Sequence, residues 1–300
     1  MKEFEVTIQS GEAFKGRHYE AKGAKMTLCL ITGMCEHSLR YKDFASFLNC
    51  KGIDVYVLDL MGQGLNATSP EDCQKWSEHG FAKTVEAINM MVKLAEKDGL
   101  PLALMGHSTG SFMVQRHMQL YPSDAKKIIL CGSNGGQRAL MKAGKAIAKL
   151  TTTKKNVDKP AKLLNKLAFD SYAKAVASAK TDFDWLSYDE KNVADYIADP
   201  YCGVPNTHGF WMGFFEEMAH IWDKPNMDRI SPEAEVLIIS GKEDPVGQFG
   251  SGLLWLRDQY KARGLKVVLH LYPNMRHEVL NEEKKQEVYD DVLRFLEEGK

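Results

Sequence analysis

The chain has 300 residues, of which 44% are hydrophobic, and its formal net charge at pH 7 is −1. A chain of this length can form one large domain, or a domain that carries an insertion. The near-zero charge offers no overall basic surface to nucleic acid, and no apolar run approaches the roughly 18 residues of a membrane span. The six cysteines are scattered and the first residues lack the apolar segment of a signal peptide, so we expect free thiols in a cytoplasmic protein.

Strands alternate with amphipathic helices over residues 1–132. Two edge strands are predicted at 4–8 and 15–21, and four apolar runs predict buried strands at 26–31, 53–58, 101–105 and 127–131. Residues spaced for one face of a helix follow three of these runs, and the helices are predicted to end at Gly52, Gly99 and Pro122. Buried strands joined by helices are typical of a parallel sheet that is covered on both faces.

The pattern changes over residues 133–227, where no buried strand is evident. Residues 138–180 carry ten lysines and one arginine against two aspartates, whereas 181–235 carry twelve acidic residues against three basic ones. The alternation then resumes with strands at 235–240 and 266–271 and helices at 251–263 and 284–297. We therefore predict one core formed by 1–132 and 228–300, interrupted by an insertion of helices and loops at 133–227.

Gly106-His107-Ser108-Thr109-Gly110 lies where a buried strand meets a helix. The spacing is that of G-x-S-x-G, in which two glycines make room for a strained turn that raises the serine hydroxyl above the edge of the sheet. Ser108 is the predicted nucleophile. His107 is expected to point away from the hydroxyl and to be structural.

Two candidate partners of Ser108 follow later strands. Asp244 comes after the strand at 235–240 and His277 after the strand at 266–271, so both are predicted at the same edge of the sheet. The order serine, acid, histidine fits this kind of fold, although Glu243 remains a competing acid. An oxyanion hole needs two backbone donors, predicted as the N–H groups of Thr109 and of Met34, which follows Gly33.

Two other patterns were weighed as cofactor or metal sites. Residues 62–67 match G-x-G-x-x-A after a strand, but the next helix begins only near residue 80, so a loop over the sheet edge is favoured over a dinucleotide site. Asn281 stands where a zinc H-E-x-x-H motif beginning at His277 would need its second histidine. We expect neither an organic cofactor nor a metal.

Five motifs in order resemble the α/β-hydrolase superfamily, and within it the monoacylglycerol lipase and lysophospholipase branch (serine aminopeptidase S33, Hydrolase_4). They lie at 31–41, 59–64, 106–110, 241–246 and 272–278. The resemblance implies a mostly parallel central sheet with helices on both faces and a helical cap at 133–227. It also implies Ser108 as nucleophile, Asp244 as acid, His277 as base, and Met34 and Thr109 as oxyanion donors. Thr32, Met61 and Gln63 depart from the family pattern, which puts the packing of two loops beside the site in question.

The resemblance implies a serine carboxylic-ester hydrolase that works through an acyl-enzyme. Its substrates would be monoacylglycerols, lysophospholipids or short acyl esters. One alternative is an aminopeptidase of the proline-iminopeptidase type, for which Asp182, Glu216 or Glu217 would anchor a substrate amine. The other is a non-catalytic binding protein with the same fold, which an intact set of triad residues argues against.

The insertion holds the residues that would meet a substrate or a membrane. Most of its aromatic residues are expected to pack a small core of the cap, and the rest to line an acyl tunnel. The prediction concerns Phe183, Trp185, Tyr188, Tyr201, Phe210, Trp211, Phe214, Phe215 and Trp222. The lysine-rich segment 142–166 has leucines interleaved, which is typical of a solvated helix face but also of contact with an anionic lipid surface.

Overall fold

An eight-stranded sheet forms the centre of the molecule, with the strands in the order β1-β2-β4-β3-β5-β6-β7-β8. The computed structural model describes residues 1–122, 125–177 and 179–298. The strands are β1 (Lys2–Thr7), β2 (Ala13–Tyr19), β3 (Met26–Ile31), β4 (Ile53–Leu58), β5 (Leu102–His107), β6 (Lys127–Cys131), β7 (Glu235–Gly241) and β8 (Lys266–Tyr272). β1 and β2 pair antiparallel, β2 pairs antiparallel with β4, and the remaining neighbours are parallel. The predicted α/β-hydrolase fold is confirmed.

Helices cover both faces of this sheet. Those of the core are α1 (Lys42–Cys50), α2 (Gly80–Ala95), α3 (Thr109–Leu120), α9 (Ser251–Lys261) and α10 (Lys285–Glu297). Side chains of α2, α3 and α9 pack with one face of the sheet, and side chains of α1 and α10 pack with the other. Burial on both faces explains why all six residues of β3 and of β4 are buried, as continuous apolar runs predict.

Among the described residues, five α-helices lie between β6 and β7: α4 (Arg138–Thr151), α5 (Lys162–Lys174), α6 (Glu190–Ala198), α7 (His208–Met218) and α8 (Lys224–Met227). Two of them begin at side chains that accept backbone N–H bonds: Asp189 at α6 and Thr207 at α7. A single antiparallel bridge joins Pro160 to Thr207 within the described part of this interval. No helix among the described residues is long and apolar enough to cross a bilayer.

The register of the parallel strands brings four loops to one edge. Ile31 at the end of β3 pairs with Gly106, so the loop after β3 leaves the sheet beside the turn at Ser108. Gly241 at the end of β7 pairs with Tyr272 at the end of β8. The loops after β3, β5, β7 and β8 therefore meet above the carboxyl ends of the strands, where ligands bind in open α/β sheets.

Candidate active site

Ser108 occupies the sharp turn between β5 and α3. Its φ is 51° and its ψ −120°, a conformation that non-glycine residues rarely adopt. A Cβ added to Gly106 would lie 2.3 Å from the carbonyl oxygen of Gly110, and one added to Gly110 would lie 2.4 Å from that of Thr32. Both glycines are thus required by close backbone contact, and their absence of side chains allows the strained turn to form.

Two backbone N–H groups belong to residues that line one cavity with Ser108. The N–H of Thr109 is in the first turn of α3, where amides have no partner within the helix. The N–H of Met34 lies in the loop after β3. Neither has a hydrogen-bond partner in the described part of the chain, and both residues line one cavity with Ser108.

His277 and Asp244 form a buried pair at this edge. His277 Nδ1 lies 3.0 Å from Asp244 Oδ2, and the two residues are 2% and 0% exposed. Asp244 also accepts the Ser240 hydroxyl at 2.7 Å and the Val246 N–H at 2.9 Å, which fixes the carboxylate. No hydrogen bond within the described residues joins the Ser108 hydroxyl to the His277 ring, although both line the cavity. Such bonds often form only when a substrate is present.

The competing acid lies in a different environment. Glu243 Oε2 accepts the backbone N–H of Met275 at 3.1 Å, and the Glu243 N–H donates to the Met275 carbonyl at the same distance. Glu243 therefore holds the loop that carries His277, whereas Asp244 contacts the ring itself.

The electrostatics of the pair favour an ion pair once His277 takes a proton. Burial penalises the charged imidazole, but the Asp244 carboxylate outweighs it and raises the pKa of His277. Burial likewise opposes ionisation of Asp244, yet the His277 ring, Ser240 and the Val246 N–H together lower its pKa. The arrangement suits a general base that an ionised acid orients.

His107 lies beside the base. Its ring centroid is 4.8 Å from that of His277, and it also lines the cavity. Burial, followed by the nearby His277, lowers the pKa of His107 to about 4. His107 is thus neutral at pH 7 and adds no charge beside His277. The prediction from the sequence concerned only its orientation relative to the Ser108 hydroxyl and did not include this contact with His277.

A buried ion-pair network surrounds these groups. Arg40 donates to both carboxylate oxygens of Glu278 at 2.6 and 2.7 Å and to Glu36 at 3.0 Å. Glu36 in turn accepts the Gly33 N–H at 2.5 Å and the Tyr41 hydroxyl at 2.6 Å. Burial opposes ionisation of Glu278, but Arg40 outweighs it and lowers the pKa to about 2. The network fixes the loop that holds Met34 to the loop that holds His277.

Sequence reasoning assigned no role to Glu36, Arg40 or Glu278. Glu36 and Arg40 lie within the 31–41 motif and Glu278 directly follows His277. Their positions in these motifs were the signal in the sequence that could have indicated a role. Their pairing was not readable, because Arg40 and Glu278 are 238 positions apart.

A second carboxylate joins the insertion to the core. Glu282 is 2% exposed, and burial raises its pKa. It accepts the Ser187 hydroxyl at 2.8 Å and the backbone N–H groups of Tyr188 and Asp189. It also accepts the N–H of Arg276, the residue before His277, at 2.8 Å. The segment 187–189 is therefore tied directly to the His277 loop.

The three departures from the family pattern have defined positions. Gln63 is fully buried and accepts the Glu36 N–H at 3.3 Å, so it supports the loop that carries Met34. Thr32 is fully buried, and its hydroxyl has no partner in the part of the chain that is described. The Met61 sulfur accepts the Ser77 N–H at 3.3 Å, away from the cavity.

A cavity of about 620 Å³ extends from Ser108 into the insertion. Its far end is formed by α4, α5 and α7, with Met141, Ile147 and Leu164 among its lining. Six of the nine aromatic residues to which the prediction applies line it: Phe183, Trp185, Trp211, Phe214, Phe215 and Trp222. The expectation that most of them pack a separate cap core was wrong. The side chains of α7 join the main hydrophobic core of the molecule on one side and border the cavity on the other.

The candidate metal-binding group and the 62–67 loop are both held by contacts within the protein. His37, Asp199 and Cys202 have possible metal-ligating atoms within 4.8 Å of one another. His37 Nε2 already bonds Asp199 Oδ2 at 2.8 Å, and burial raises the pKa of the Cys202 thiol, which opposes its ionisation. In the 62–67 loop, Gly64 sits against Asp59, whose carboxylate accepts the Leu65 N–H at 3.0 Å.

The comparisons with known proteins agree with this architecture. A family model described as serine aminopeptidase, S33 (Hydrolase_4) matches residues 22–284. A monoacylglycerol lipase of Mycolicibacterium smegmatis is 28% identical over 278 residues, which cover 89% of this chain and 86% of that protein.

Two solved structures have the same fold. A thermostable carboxyl esterase from Bacillus coagulans has a TM-score of 0.90 at 23% identity, covering 98% of this chain and 97% of that one. A soluble variant of monoglyceride lipase from Saccharomyces cerevisiae has a TM-score of 0.72 at 17% identity, covering 98% and 94%. The family model spans most of the sequence, and the protein therefore belongs to the serine aminopeptidase S33 (Hydrolase_4) family of α/β-fold hydrolases.

Proposed function

We propose that the protein is a serine carboxylic-ester hydrolase whose nucleophile is Ser108. The observation that carries the proposal is the buried Asp244–His277 pair, which shares a cavity with Ser108 and with the unpartnered N–H groups of Met34 and Thr109. These are the four parts that acyl transfer requires: nucleophile, base, orienting acid and oxyanion donors.

The chemistry proceeds through an acyl-enzyme. Ser108 Oγ attacks the ester carbonyl carbon while His277 Nε2 takes the hydroxyl proton, and Asp244 stabilises the imidazolium through Nδ1–H. The oxyanion of the tetrahedral intermediate accepts from the Met34 and Thr109 N–H groups. The C–O bond to the alcohol breaks and His277 returns the proton to that oxygen. Water, deprotonated by His277, then attacks the acyl-enzyme and releases the carboxylic acid and Ser108.

The cavity favours an acyl ester with an apolar chain. Its far end is lined by aliphatic and aromatic side chains of α4, α5 and α7, which remove apolar surface of a chain from water. Monoacylglycerols, lysophospholipids and short acyl esters each present such a chain next to an ester carbonyl. The similarity to a monoacylglycerol lipase and a carboxyl esterase supports this substrate class.

The aminopeptidase alternative needs a free carboxylate that faces the cavity. Glu216 bonds His79 at 2.9 Å and Glu217 bonds Arg116 at 2.7 Å, and neither lines the cavity. Asp182 does line the cavity, so among the three carboxylates it is the candidate for binding a substrate amine.

Labelling with a fluorophosphonate tests the function. We expect the probe to modify Ser108 and to abolish hydrolysis of p-nitrophenyl butyrate, and we expect Ser108→Ala to keep its thermal transition while losing both labelling and hydrolysis. Hydrolysis of a monoacylglycerol should exceed that of a proline p-nitroanilide by orders of magnitude. Full esterase activity in Ser108→Ala would remove the assignment, and failure to label would favour the non-catalytic protein.

We further propose that the basic side of the insertion contacts anionic lipid. Leu150, Leu163 and Leu167 on α4 and α5 are 85%, 53% and 57% exposed, and they lie among the lysines of this segment. Leu140 and Leu167 are 58% and 57% exposed and also line the cavity, so the cavity reaches this side of the molecule. Exposed leucines flanked by lysines match a surface that inserts shallowly into the headgroup region.

A further inference from the structure

The residues on either side of Met34 are held from two directions. On the core side, the Gly33 N–H donates to the buried Glu36 carboxylate at 2.5 Å. On the other side, the Cys35 carbonyl accepts the Tyr196 hydroxyl at 2.9 Å and the Gly203 N–H at 3.0 Å. Tyr196 lies in α6 and Gly203 follows that helix, so both donors belong to the insertion rather than to the sheet that carries the rest of the site.

The conformation of Cys35 explains why such support is needed. Its φ is 59°, in the left-handed region, where a residue with a side chain persists only when its surroundings hold it. The Cys35 side chain contributes, since its thiol lies 3.3 Å from the Val204 carbonyl oxygen. The direction of the Met34–Cys35 segment thus depends on contacts with residues 196–204.

Tyr196 is itself fixed by the buried network. The Arg40 guanidinium lies 4.9 Å from the centre of its ring, and Arg40 also donates to the Asn192 side chain at 3.0 Å, one turn earlier in α6. Asn192 completes the link by donating to Glu278 at 2.7 Å. A displacement of α6 would therefore disturb both the support of Cys35 and the partners of Glu278.

We propose that Tyr196 is a positioning residue for the oxyanion hole, so that the Met34 N–H is correctly aimed only when α6 lies against the loop after β3. The inference rests on the proposed function, because it takes the Met34 N–H as an oxyanion donor. Its consequence is that the position of the insertion controls the chemical step as well as access to the cavity. Movement of α6 away from the core removes two hydrogen bonds from the Cys35 carbonyl and leaves the Cys35–Glu36 peptide held by the Glu36 N–H bond to Gln63.

Tyr196→Phe tests the proposal, since it removes the hydroxyl and keeps the ring that packs against Arg40. We expect kcat for p-nitrophenyl butyrate to fall about tenfold, the size of one net hydrogen bond, with KM unchanged. A trifluoromethyl ketone forms a tetrahedral oxyanion on serine, whereas the methyl ketone of equal chain length reports binding without it. The trifluoromethyl ketone should bind about tenfold more weakly to the variant, and the methyl ketone equally well.

Two further variants complete the test. Tyr188→Phe is the matched control, because Tyr188 is a largely exposed tyrosine of the insertion whose ring packs on Arg276, and it should leave all four constants unchanged. Asn192→Ala loosens α6 without touching the Cys35 carbonyl, and should lower the preference for the trifluoromethyl ketone by a smaller factor. It also provides the test if Tyr196→Phe does not fold.

The outcomes separate the inference from the proposed function. An unchanged ratio of the two ketone affinities, or a rise in KM at constant kcat, would show that Tyr196 does not act through the oxyanion hole. If fluorophosphonate does not label Ser108 in the unaltered protein, the proposed function itself is wrong. If Ser108 is labelled and the ketone ratio is unchanged, only the role of Tyr196 is overturned.

Discussion

The catalytic edge of the sheet and the outer helices of the insertion are held in contrasting ways. At the edge, side-chain positions follow from backbone register between fully buried strands, and polar groups such as Arg40 and Glu278 are paired with little exposure. In the insertion, α5 buries only Leu164 among its thirteen residues, and its ion pair between Lys166 and Asp170 is open to solvent. Exposed pairs of this kind contribute little to stability.

The two regions therefore meet different requirements of the protein. Acyl transfer needs groups held within a few tenths of an ångström, which the buried edge supplies. A surface with few buried contacts can change sequence at little cost in folding free energy, so α4 and α5 are free to set which substrate and which interface the protein meets.

The largest effect on activity is expected for substitution of Asp244, the proposed acid. Asp244→Asn should lower kcat by about 10³–10⁴-fold, because the imidazole loses the anion that orients it and stabilises its protonated form. In the unaltered enzyme, His277 must be neutral to act, and its pKa is raised above 6.5, so kcat/KM should rise as the pH increases through that raised value. Without the Asp244 charge the pKa falls, and the inflection of the residual activity should move to lower pH.

Glu243→Gln is the matched control for this change. It keeps an acceptor for the Met275 N–H, so activity should stay within a few-fold and the inflection should not move. A larger loss in Glu243→Gln than in Asp244→Asn would transfer the role of the acid to Glu243.

A second effect concerns the far end of the cavity. Ile147→Trp places a larger ring in the lining contributed by α4, and should lower kcat/KM for p-nitrophenyl dodecanoate about tenfold or more relative to the acetate. Ala146→Trp, on the exposed side of the same helix, serves as the control and should leave the ratio unchanged. Equal losses for both esters in Ile147→Trp would show that the acyl chain does not lie between α4 and α7.

The smallest effect is expected at the lipid contact. Co-sedimentation with vesicles of phosphatidylcholine and 30% phosphatidylserine should weaken about tenfold in the double variant Lys149→Glu, Lys162→Glu, and should fall with added salt. Both lysines adjoin exposed leucines. Lys93→Glu with Lys97→Glu, on exposed positions near the end of α2, should bind like the unaltered protein. Equal binding of all three proteins would argue against a lipid contact on this side.

The fold and the positions of Ser108, Asp244 and His277 were predictable because each depends on local pattern. Apolar runs gave the buried strands, and glycines at 106 and 110 marked a turn that no bulkier residue permits. The buried network was not predictable, since its pairs join loops that are distant along the chain and an isolated arginine or glutamate carries no periodic signal. The aromatic residues of α7 were misjudged for a related reason. Their spacing indicates a buried helix but not which two layers lie on either side of it.

The contacts of Glu282 define what could be exchanged between related hydrolases. Residues 133–227 form one continuous interval, so a graft of a foreign segment in their place cuts the chain at only two points. Yet residues 187–189 are held by the carboxylate of Glu282, and Asn192 is held by the carboxylate of Glu278. Both glutamates lie outside 133–227. The transplantable module is therefore discontinuous, and it comprises the helices of the insertion together with 276–282. A chimaera that moves the helices alone would leave two buried glutamates with only their core partners, Arg40 for Glu278 and the Arg276 N–H for Glu282, next to the histidine on which catalysis is proposed to depend.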